Sequence, residues 1–388
     1  MTIVSVSGGT VGRGRTRRGV LIAGGGTAGH VMPGLAIARA VVDRGVVEDI
    51  GSVHLVGSRR GVESELVPST GFGLTLLPGR GLRRSFTPVN LVAIAGLFLA
   101  WLRSVYLVLR FAPRVVVTTG GYACVPCGLA AVALRVPLIV AEQNAVPGAA
   151  SRLLARFARV AAVSFSGTDL PRAVMTGNPV RPEVRDMTQE GAREAARERM
   201  AVGDRDLVAV FGGALGARRI NQAVERAVAD WDGPPLVVHH VVGRRDWASE
   251  DTRQYGATPS VDYRRVAYED DMASVLVASD LTICRAGATS VAELAVLGIP
   301  SVLVPLPGAP GDHQSANARQ LVEAGGAVVV KDENLNGDRL RAVIGALLSD
   351  EDALAEMASR ARALGRPDAA DRVADLVALH GGFNGSCP

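Results

Sequence analysis

Short apolar runs alternate along the chain with longer segments that carry apolar residues at helical spacing. Many of these runs are unbroken stretches of Val, Ile, Leu and Ala, as in 20–23 and 207–211. Strands without polar alternation are typical of parallel sheets that helices cover on both faces. The pattern predicts an α/β fold with strands at 20–23, 52–57, 73–77, 115–119, 137–141, 160–163, 173–176, 207–211, 236–242, 264–267, 280–284, 301–305 and 326–331.

The predicted strands form two similar groups. Gly177-Asn-Pro-Val-Arg-Pro182 separates them, and its prolines and glycine interrupt regular structure. A chain of 388 residues is long enough for two domains with a core each. We predict two Rossmann-like, doubly wound domains that face each other across a cleft. The predicted divisions are a flexible basic extension (1–18), a first domain (19–181), a second domain (182–365), and a C-terminal helix and tail (366–388) that cross back to the first domain.

A glycine-rich turn follows the first strand of each half. The first turn is Gly24-Gly-Gly-Thr-Ala-Gly-His30, the second is Gly212-Gly-Ala-Leu-Gly-Ala217, and each precedes a helix-like segment. A turn without Cβ atoms at a helix N-terminus lets backbone N–H groups approach a phosphate. The two turns therefore predict phosphate sites on both sides of the cleft.

The first turn also matches the dinucleotide-binding pattern Gly-x-Gly-x-x-Gly. That fold requires an acidic residue after the second strand, where it binds the adenosine ribose. Here the second predicted strand runs into Ser58, Arg59 and Arg60, so no acid is available. Arg59 would suit the 2′-phosphate of NADP, and an NADP-dependent oxidoreductase stays an alternative.

Composition excludes several other classes. The chain has 42 basic and 38 acidic residues, a net charge of +4 and 4% aromatic residues, a balance that does not indicate nucleic-acid binding. No Gly-Lys-Ser/Thr tripeptide occurs, which excludes a Walker-type phosphate loop. Cys124 and Cys127 form a C-x-x-C without the second pair that a zinc site needs. We expect buried or helix-start cysteines in a reducing cytoplasm.

The segment Leu91–Leu102 is apolar throughout. It is shorter than the roughly 20 residues that cross a bilayer, and length alone favours a buried core helix. The arginines that precede it alternate with apolar residues, an arrangement that suits the surface of an anionic membrane. We predict peripheral membrane contact through Arg80, Leu82, Arg83, Arg84, Phe86, Phe98 and Trp101.

His30 closes the first glycine turn, three residues before Pro33, which suits the first turn of a helix. A histidine at this position is either an exposed helix-start residue or a titratable group aimed into the cleft. Because two glycine turns face the same gap, we predict the second case, with His30 placed for proton transfer.

Seven motifs occur in a fixed order and cover about residues 20–330. They are Gly24–His30 with Pro33, Thr119-Gly-Gly-Tyr122, Glu142-Gln-Asn144, Gly177-Asn-Pro-Val-Arg181, Gly212–Ala217, Asp270-Asp-Met272, and Cys284-Arg-Ala-Gly-Ala-Thr-Ser-Val-Ala-Glu293. With them the chain resembles the peptidoglycan N-acetylglucosaminyltransferase (MurG) family. The resemblance implies a GT-B glycosyltransferase that moves N-acetylglucosamine from UDP-N-acetylglucosamine to lipid I, which gives lipid II, at the cytoplasmic face of the bacterial membrane.

The resemblance also implies site residues, with the donor bound mainly by the second domain and the lipid acceptor by the first. The implied donor-binding residues are Thr27, Ala28, Gly29, Asn144, Arg181, Ala214, Glu269, Ala288, Thr289, Ser290, Glu293 and Gln314. The implied acceptor or loop residues are Gly25, Gly26, Gly120, Gly121, Tyr122 and Asn317. Glu293 is expected on the ribose hydroxyls, although Ser290-Val-Ala-Glu293 also spells a helix capping box. His30 is the candidate base.

The implied partners are UDP-N-acetylglucosamine, lipid I, an anionic membrane surface, and cell-division or elongation machinery, with no cofactor. The Asp-x-Asp pairs at Asp204–Asp206 and Asp350–Asp352 look like turn or helix-cap positions, so we predict no required metal. The family usually has glycine where Ala28 stands and serine where Ala214 stands. These departures leave open a catalytically silent membrane scaffold. A related transferase that acts on another lipid or a small-molecule acceptor also stays open, because it would share the second domain.

Overall fold

The computed structural model describes residues 19–59, 61–78, 89–213, 216–248 and 260–383, without the side chains of residues 89–95 and 248. The predicted basic extension at 1–18 lies outside the described residues. So do Arg80, Leu82, Arg83, Arg84 and Phe86 of the predicted membrane surface, and Ala214 of the second glycine turn.

The first half of the chain forms a seven-stranded parallel sheet. Its strands are β1 (Val20–Gly24), β2 (Val53–Ser58), β3 (Gly73–Leu77), β4 (Val115–Gly120), β5 (Leu138–Glu142), β6 (Val160–Val163) and β7 (Ala173–Met175). In space they follow the order β3-β2-β1-β4-β5-β6-β7. The order reverses between β1 and β4, which is the switch point where open α/β sheets bind ligands.

The second half forms a six-stranded parallel sheet. Its strands are β8 (Asp206–Phe211), β9 (Leu236–Val241), β10 (Val261–Val266), β11 (Leu281–Cys284), β12 (Ser301–Leu303) and β13 (Ala327–Val329). Their order, β10-β9-β8-β11-β12-β13, has the same kind of reversal between β8 and β11. The two halves therefore repeat one topology.

Helices connect the strands and cover both faces of each sheet. The α-helices are α1 (Ala28–Asp43), α2 (Glu63–Leu66), α3 (Val89–Phe111), α4 (Cys124–Ala133), α5 (Ala149–Ala155), α6 (Pro182–Asp186), α7 (Ala192–Arg199), α8 (Arg218–Ala229), α9 (Arg244–Ala248), α10 (Met272–Ala278), α11 (Ala288–Leu297), α12 (His313–Glu323), α13 (Gly337–Leu348), α14 (Glu351–Ala363) and α15 (Ala369–Gly381). Short 3₁₀ turns lie at Ile50–Ser52, Pro68–Thr70, Pro310–Asp312 and Asp332–Asn334.

The predicted fold class, two doubly wound α/β domains, is confirmed, and every predicted strand is present. The largest error in the strands is at β10, which begins three residues before the predicted start. β10 lies at the edge of its sheet, and its residues include Asp262, Arg264 and Arg265. One face of an edge strand and its unpaired side are exposed to water. Such a strand therefore lacks the continuous apolar run that marks the inner strands.

The last helix packs on the first half of the chain. Val373, Ala374 and Val377 of α15 are fully buried in the core beside α1 and the first sheet. Asp375 of α15 accepts a 2.7 Å hydrogen bond from Arg44, which follows α1. The chain thus returns to its first sheet after completing the second one.

Helix α3 is much longer than the apolar segment that predicted it. It continues past Leu102 to Phe111 and includes Arg103 and Arg110. One side of the helix is buried, with Ala100, Ser104 and Val108 at 0–3% exposure. Its opposite side is exposed, so the helix is amphipathic rather than buried throughout.

Candidate active site

Two backbone loops meet at the switch point of the first sheet. The first glycine turn begins with Gly24, the last residue of β1, and Gly121 follows Gly120, the last residue of β4. The N–H of Gly25 donates to the carbonyl of Gly120 across 3.2 Å. A Cβ on Gly121 would overlap the carbonyl of Gly25, and φ at Gly121 is +83°, so only glycine fits there. The loops line a crevice at the carboxyl ends of the strands.

His30 lies in the first turn of α1, against these loops. Its Nδ1 is 3.3 Å from the carbonyl oxygen of Gly25 and 3.3 Å from the hydroxyl of Thr27. Gly120 leaves room for the imidazole, because a Cβ there would overlap Cδ2 and Nε2. Pro33 is not in the first helical turn as we expected, because α1 already begins at Ala28.

Burial lowers the pKa of His30 below its usual 6.5. The carbonyl of Gly25 and the carboxylates of Glu142 and Glu63 act in the opposite direction, and His313 of the second half adds to the lowering. The imidazole is therefore neutral at pH 7. Since a carbonyl oxygen only accepts, a hydrogen bond from the neutral ring to Gly25 requires the proton on Nδ1 and leaves the lone pair on Nε2.

Glu63, on α2, was missed by the sequence analysis, which found no acid after the second strand. The residue is 1% exposed, and its carboxylate accepts hydrogen bonds from the N–H of Gly26, at 3.0 Å, and from the N–H of Ser58. The expectation that the first turn offers its amides to a phosphate is thus wrong for Gly25 and Gly26, because both N–H groups have internal acceptors. Thr27, Ala28 and Gly29 are exposed.

Asn144 and Asn317 connect the two halves of the molecule. The side-chain NH₂ of Asn317 donates to Asn144 Oδ1 at 3.2 Å, and its Oδ1 accepts from the N–H of Ala145 at 2.9 Å. The same NH₂ group donates to the carbonyl of Ala286, in the loop after β11. Glu142, at the end of β5, accepts from the N–H and the side chain of Asn144. Asn317 is fully buried, so its amide joins the domains here.

Arg181 and Glu293 form a bidentate ion pair. Nε of Arg181 lies 2.7 Å from Oε1 of Glu293, and Nη2 lies 3.1 Å from Oε2. The Glu293 side chain is 6% exposed and that of Arg181 is 21% exposed. Burial opposes the charge on Arg181, but Glu293 outweighs it and raises the pKa of Arg181. The pair fastens the segment between the domains to α11.

The capping-box alternative for Glu293 is wrong. Helix α11 begins at Ala288 with Gly287 as its N-cap, so Ser290 is inside the helix. Thr289, in the first turn, has a buried hydroxyl without a hydrogen-bond partner among the described residues. The N-terminus of a ten-residue helix and an unpartnered hydroxyl therefore lie at the switch point of the second sheet.

Three further predicted residues have protein partners. Tyr122 donates to the carbonyl of Pro78 at 2.8 Å. Gln314 accepts from the N–H of Leu306 at 2.9 Å. Glu269 accepts from the N–H of Asp271 at 2.9 Å, and its other oxygen lies 3.0 Å from His239 Nε2.

The cysteines of the described chain are unpaired and buried. Cys124 begins α4, as expected, and burial raises the pKa of the Cys127 thiol to about 12. A thiol with so high a pKa is a poor nucleophile or metal ligand at pH 7. In the part of the chain that the structure describes, no group of three His, Cys, Asp or Glu side chains is arranged to bind a metal ion. Asp350 is a helix cap, as predicted, and accepts from the N–H of Ala353.

Helix α3 presents an apolar stripe to the surface, which we define as Phe98, Leu99, Leu102, Tyr106 and Leu109. These side chains are 44–61% exposed. Trp101 is half-buried and packs against the hydrophobic core of the first domain that includes Ala100 and Val108. The centroid of its ring lies 5.9 Å from that of Phe98. Among the described residues, no helix has the length and apolar content needed to traverse a bilayer.

Two doubly wound domains with a strand-order reversal in each sheet are the architecture of the GT-B fold. Residues 20–163 match the glycosyltransferase family 28 N-terminal domain, and residues 207–373 match the family 28 C-terminal domain. A crystal structure of Acinetobacter baumannii MurG is 28% identical, with a TM-score of 0.72, and the match covers 93% of this chain and 99% of that one.

Curated relatives match over nearly their whole length. Each is named UDP-N-acetylglucosamine–N-acetylmuramyl-(pentapeptide) pyrophosphoryl-undecaprenol N-acetylglucosamine transferase. The relative from Acidothermus cellulolyticus is 42% identical over 92% of this chain and 96% of its own. The relative from Desulforudis audaxviator is 40% identical over 92% of this chain and 97% of its own. The chain belongs to this MurG family of glycosyltransferases, which removes the oxidoreductase alternative.

The Arg181–Glu293 pair predicts a measurable coupling in stability. Arg181→Met and Glu293→Gln are each expected to lower the free energy of unfolding by about 2–3 kcal/mol, because each leaves a buried group without its partner. The double variant should lose clearly less than the sum, with a coupling energy of about 1–2 kcal/mol from urea unfolding.

The control for this double-mutant cycle is the ion pair between Arg372 of α15 and Asp368, the N-cap residue of that helix, whose side chains are 49% and 47% exposed. Its coupling energy should stay within about 0.5 kcal/mol. Strictly additive losses at Arg181 and Glu293 would show that the two side chains do not depend on each other.

Proposed function

We propose that this chain transfers N-acetylglucosamine from UDP-N-acetylglucosamine to the C4 hydroxyl of the muramoyl sugar of lipid I, which gives lipid II. The observation that carries the proposal is the bridge between Asn144 and Asn317. It joins the edge of the first sheet that carries His30 to helix α12 and to the loop that precedes α11 in the second domain. A transfer between two bound sugars needs a base and a leaving-group site held at such a fixed separation.

The donor site is assigned to the second domain. The N-terminus of α11 offers backbone N–H groups and a favourable dipole to the diphosphate, and the unpartnered hydroxyl of Thr289 suits a phosphate oxygen. Ala288 and Ser290 flank it on the same helical turn. Glu293 accepts from the ribose hydroxyls with lone pairs that Arg181 leaves free, since each carboxylate oxygen can accept more than one hydrogen bond.

The reaction is a single inverting displacement. The C4 hydroxyl attacks the anomeric carbon, the bond from that carbon to the diphosphate oxygen breaks, and UDP leaves as the β-1,4 linkage forms. Nε2 of His30, which carries the lone pair of the neutral ring, takes the hydroxyl proton. The dipole of α11 stabilises the charge that grows on the departing UDP without a required metal.

Membrane contact is assigned to the apolar stripe of α3. Its exposed Phe, Leu and Tyr side chains suit the interfacial layer of a bilayer, and Arg103 and Arg110 on the same helix suit anionic headgroups. This would hold the first domain against the cytoplasmic face of the bacterial membrane, where a lipid-linked acceptor is reached. Cell-division or elongation machinery is the further class of partner that such a location favours.

The function is tested by UDP release with UDP-N-acetylglucosamine and a soluble lipid I analogue. We expect turnover with this pair, and at least about tenfold slower turnover with UDP-N-acetylgalactosamine or with a lipid diphosphate that lacks the muramoyl sugar. Equal rates with the muramoyl-free lipid would favour a transferase with another acceptor. Donor binding without UDP release would favour the silent scaffold.

The role of His30 predicts both a rate loss and a pH dependence. A base whose pKa is lowered is active above that pKa and is lost as the pH falls through it, so the acid limb of kcat/KM, which reports the free enzyme, should lie below pH 6.5. His30→Ala should lower kcat by about 10²–10⁴-fold and remove that limb. His380→Ala on α15 is the control. A His30→Ala enzyme with the wild-type rate would end the assignment.

The membrane assignment predicts weaker binding to vesicles when the stripe becomes polar. Phe98→Ser combined with Leu102→Ser should reduce binding to phosphatidylglycerol-containing vesicles by about tenfold or more, measured by co-sedimentation. Leu379→Ser, at a position 72% exposed on α15, is the matched control and should bind as the wild type does. Unchanged binding of the double variant would place the contact elsewhere.

A further inference from the structure

Glu63 is a buried carboxylate that the proposed reaction does not use directly. It is 1% exposed, and no ion pair to it exists among the described residues. Its charge is instead held by backbone N–H groups of Gly26 and Ser58. A buried carboxylate without a cationic partner is costly, and it persists where its hydrogen bonds define a structure.

Three glycines form a space that the Glu63 side chain fills. A Cβ added at Gly25, Gly57 or Gly61 would overlap that side chain in each case. The three residues come from the first glycine turn, the end of β2 and the loop before α2. The backbone on three sides is therefore shaped around this one carboxylate.

The carboxylate and His30 bind the two ends of the same peptide group. The N–H of Gly26 donates to Glu63, and the carbonyl of Gly25 accepts from Nδ1 of His30. In a trans peptide these two groups point in opposite directions from one rigid plane. The order of contacts is thus the Glu63 carboxylate, the Gly25–Gly26 peptide, and the His30 imidazole.

We propose that Glu63 is a positioning residue that acts on His30 through the Gly25–Gly26 peptide. By holding the N–H it fixes the direction of the opposite carbonyl, which keeps the imidazole proton on Nδ1 and the lone pair on Nε2. A carboxylate that orients a histidine directly does the same in hydrolase triads. Here a peptide group lies between them, and its polarisation by the carboxylate strengthens the bond to Nδ1. The inference rests on the proposed role of His30.

Glu63→Gln is the sharpest variant because it preserves the volume of the side chain. One end of the carboxamide is a donor, so the two N–H groups lose the arrangement in which one oxygen accepts from Ser58 and the other accepts from Gly26 at 3.0 Å. The charged and titratable groups that act on His30 are Glu142, Glu63 and His313, and the first two favour the protonated ring. Loss of the Glu63 charge should move the acid limb of kcat/KM to lower pH, and kcat should fall by about tenfold or more.

The matched control is Glu65→Gln on the same short helix. The Glu65 side chain is 75% exposed, and its 3.9 Å contact with Arg244 lies on the surface. We expect a wild-type rate and pH profile from this variant. The KM for UDP-N-acetylglucosamine should stay within about twofold in both variants, because the donor site is assigned to the other domain. A lower kcat with an unchanged KM is the result expected of a positioning residue, and a purely structural role would not produce it.

The tautomer of His30 tests the same inference without a variant and without turnover. Nitrogen-15 NMR of the wild type should show neutral His30 with its proton on Nδ1, and Glu63→Gln should lose this preference and titrate at lower pH. A proton on Nε2 in the wild type, or a folded Glu63→Gln protein with wild-type kcat and pH profile, would overturn the inference. Failure to turn over lipid I with the expected tautomer intact would instead contradict the proposed function.

Discussion

The hydrogen bond from the N–H of Gly25 to the carbonyl of Gly120 is the contact on which the first half of the site depends. It forms where the strand order reverses between β1 and β4, so two loops from non-consecutive strands must approach within 3.2 Å. Glycine permits this approach, because a Cβ on Gly121 would overlap Gly25 and a Cβ on Gly120 would overlap the ring of His30. The position of the imidazole therefore follows from backbone packing.

Separate contacts hold the second domain in relation to this site. Asn317 is fully buried and binds backbone or side-chain atoms of both domains. The Arg181–Glu293 pair ties the interdomain segment to α11, and α15 returns to pack on α1. Because these contacts are spread over three places, no single loop determines the relation between the domains. A transferase that must align a donor and an acceptor needs this kind of constraint.

Each half places a buried carboxylate beside its glycine turn, from the segment that follows its second strand. In the first half this is Glu63, bound to the N–H of Gly26. In the second half it is Asp246, which is 3% exposed and accepts from Asn221, and a Cβ on Gly216 would overlap it. Both halves of the repeated topology therefore place a protein carboxylate against a glycine turn. Turns of this kind are often described only as phosphate sites. In the first half the N–H groups of Gly25 and Gly26 thus have protein acceptors, although residues 26–29 are exposed.

The sequence by itself determined the strands, the two-domain organisation and the family, because buried parallel strands are unbroken apolar runs and the glycine turns are local motifs. It failed at β10, where an edge strand carries charges, and in the length of α3, where an amphipathic helix extends beyond its apolar run. Only the tertiary structure decided the partners of Glu63 and Glu293. Neither carboxylate has a local signature, since Gly26 precedes Glu63 by 37 residues and Arg181 precedes Glu293 by 112. The free energy of a buried charge depends on what surrounds it in space, and strand order rather than sequence neighbourhood sets those surroundings.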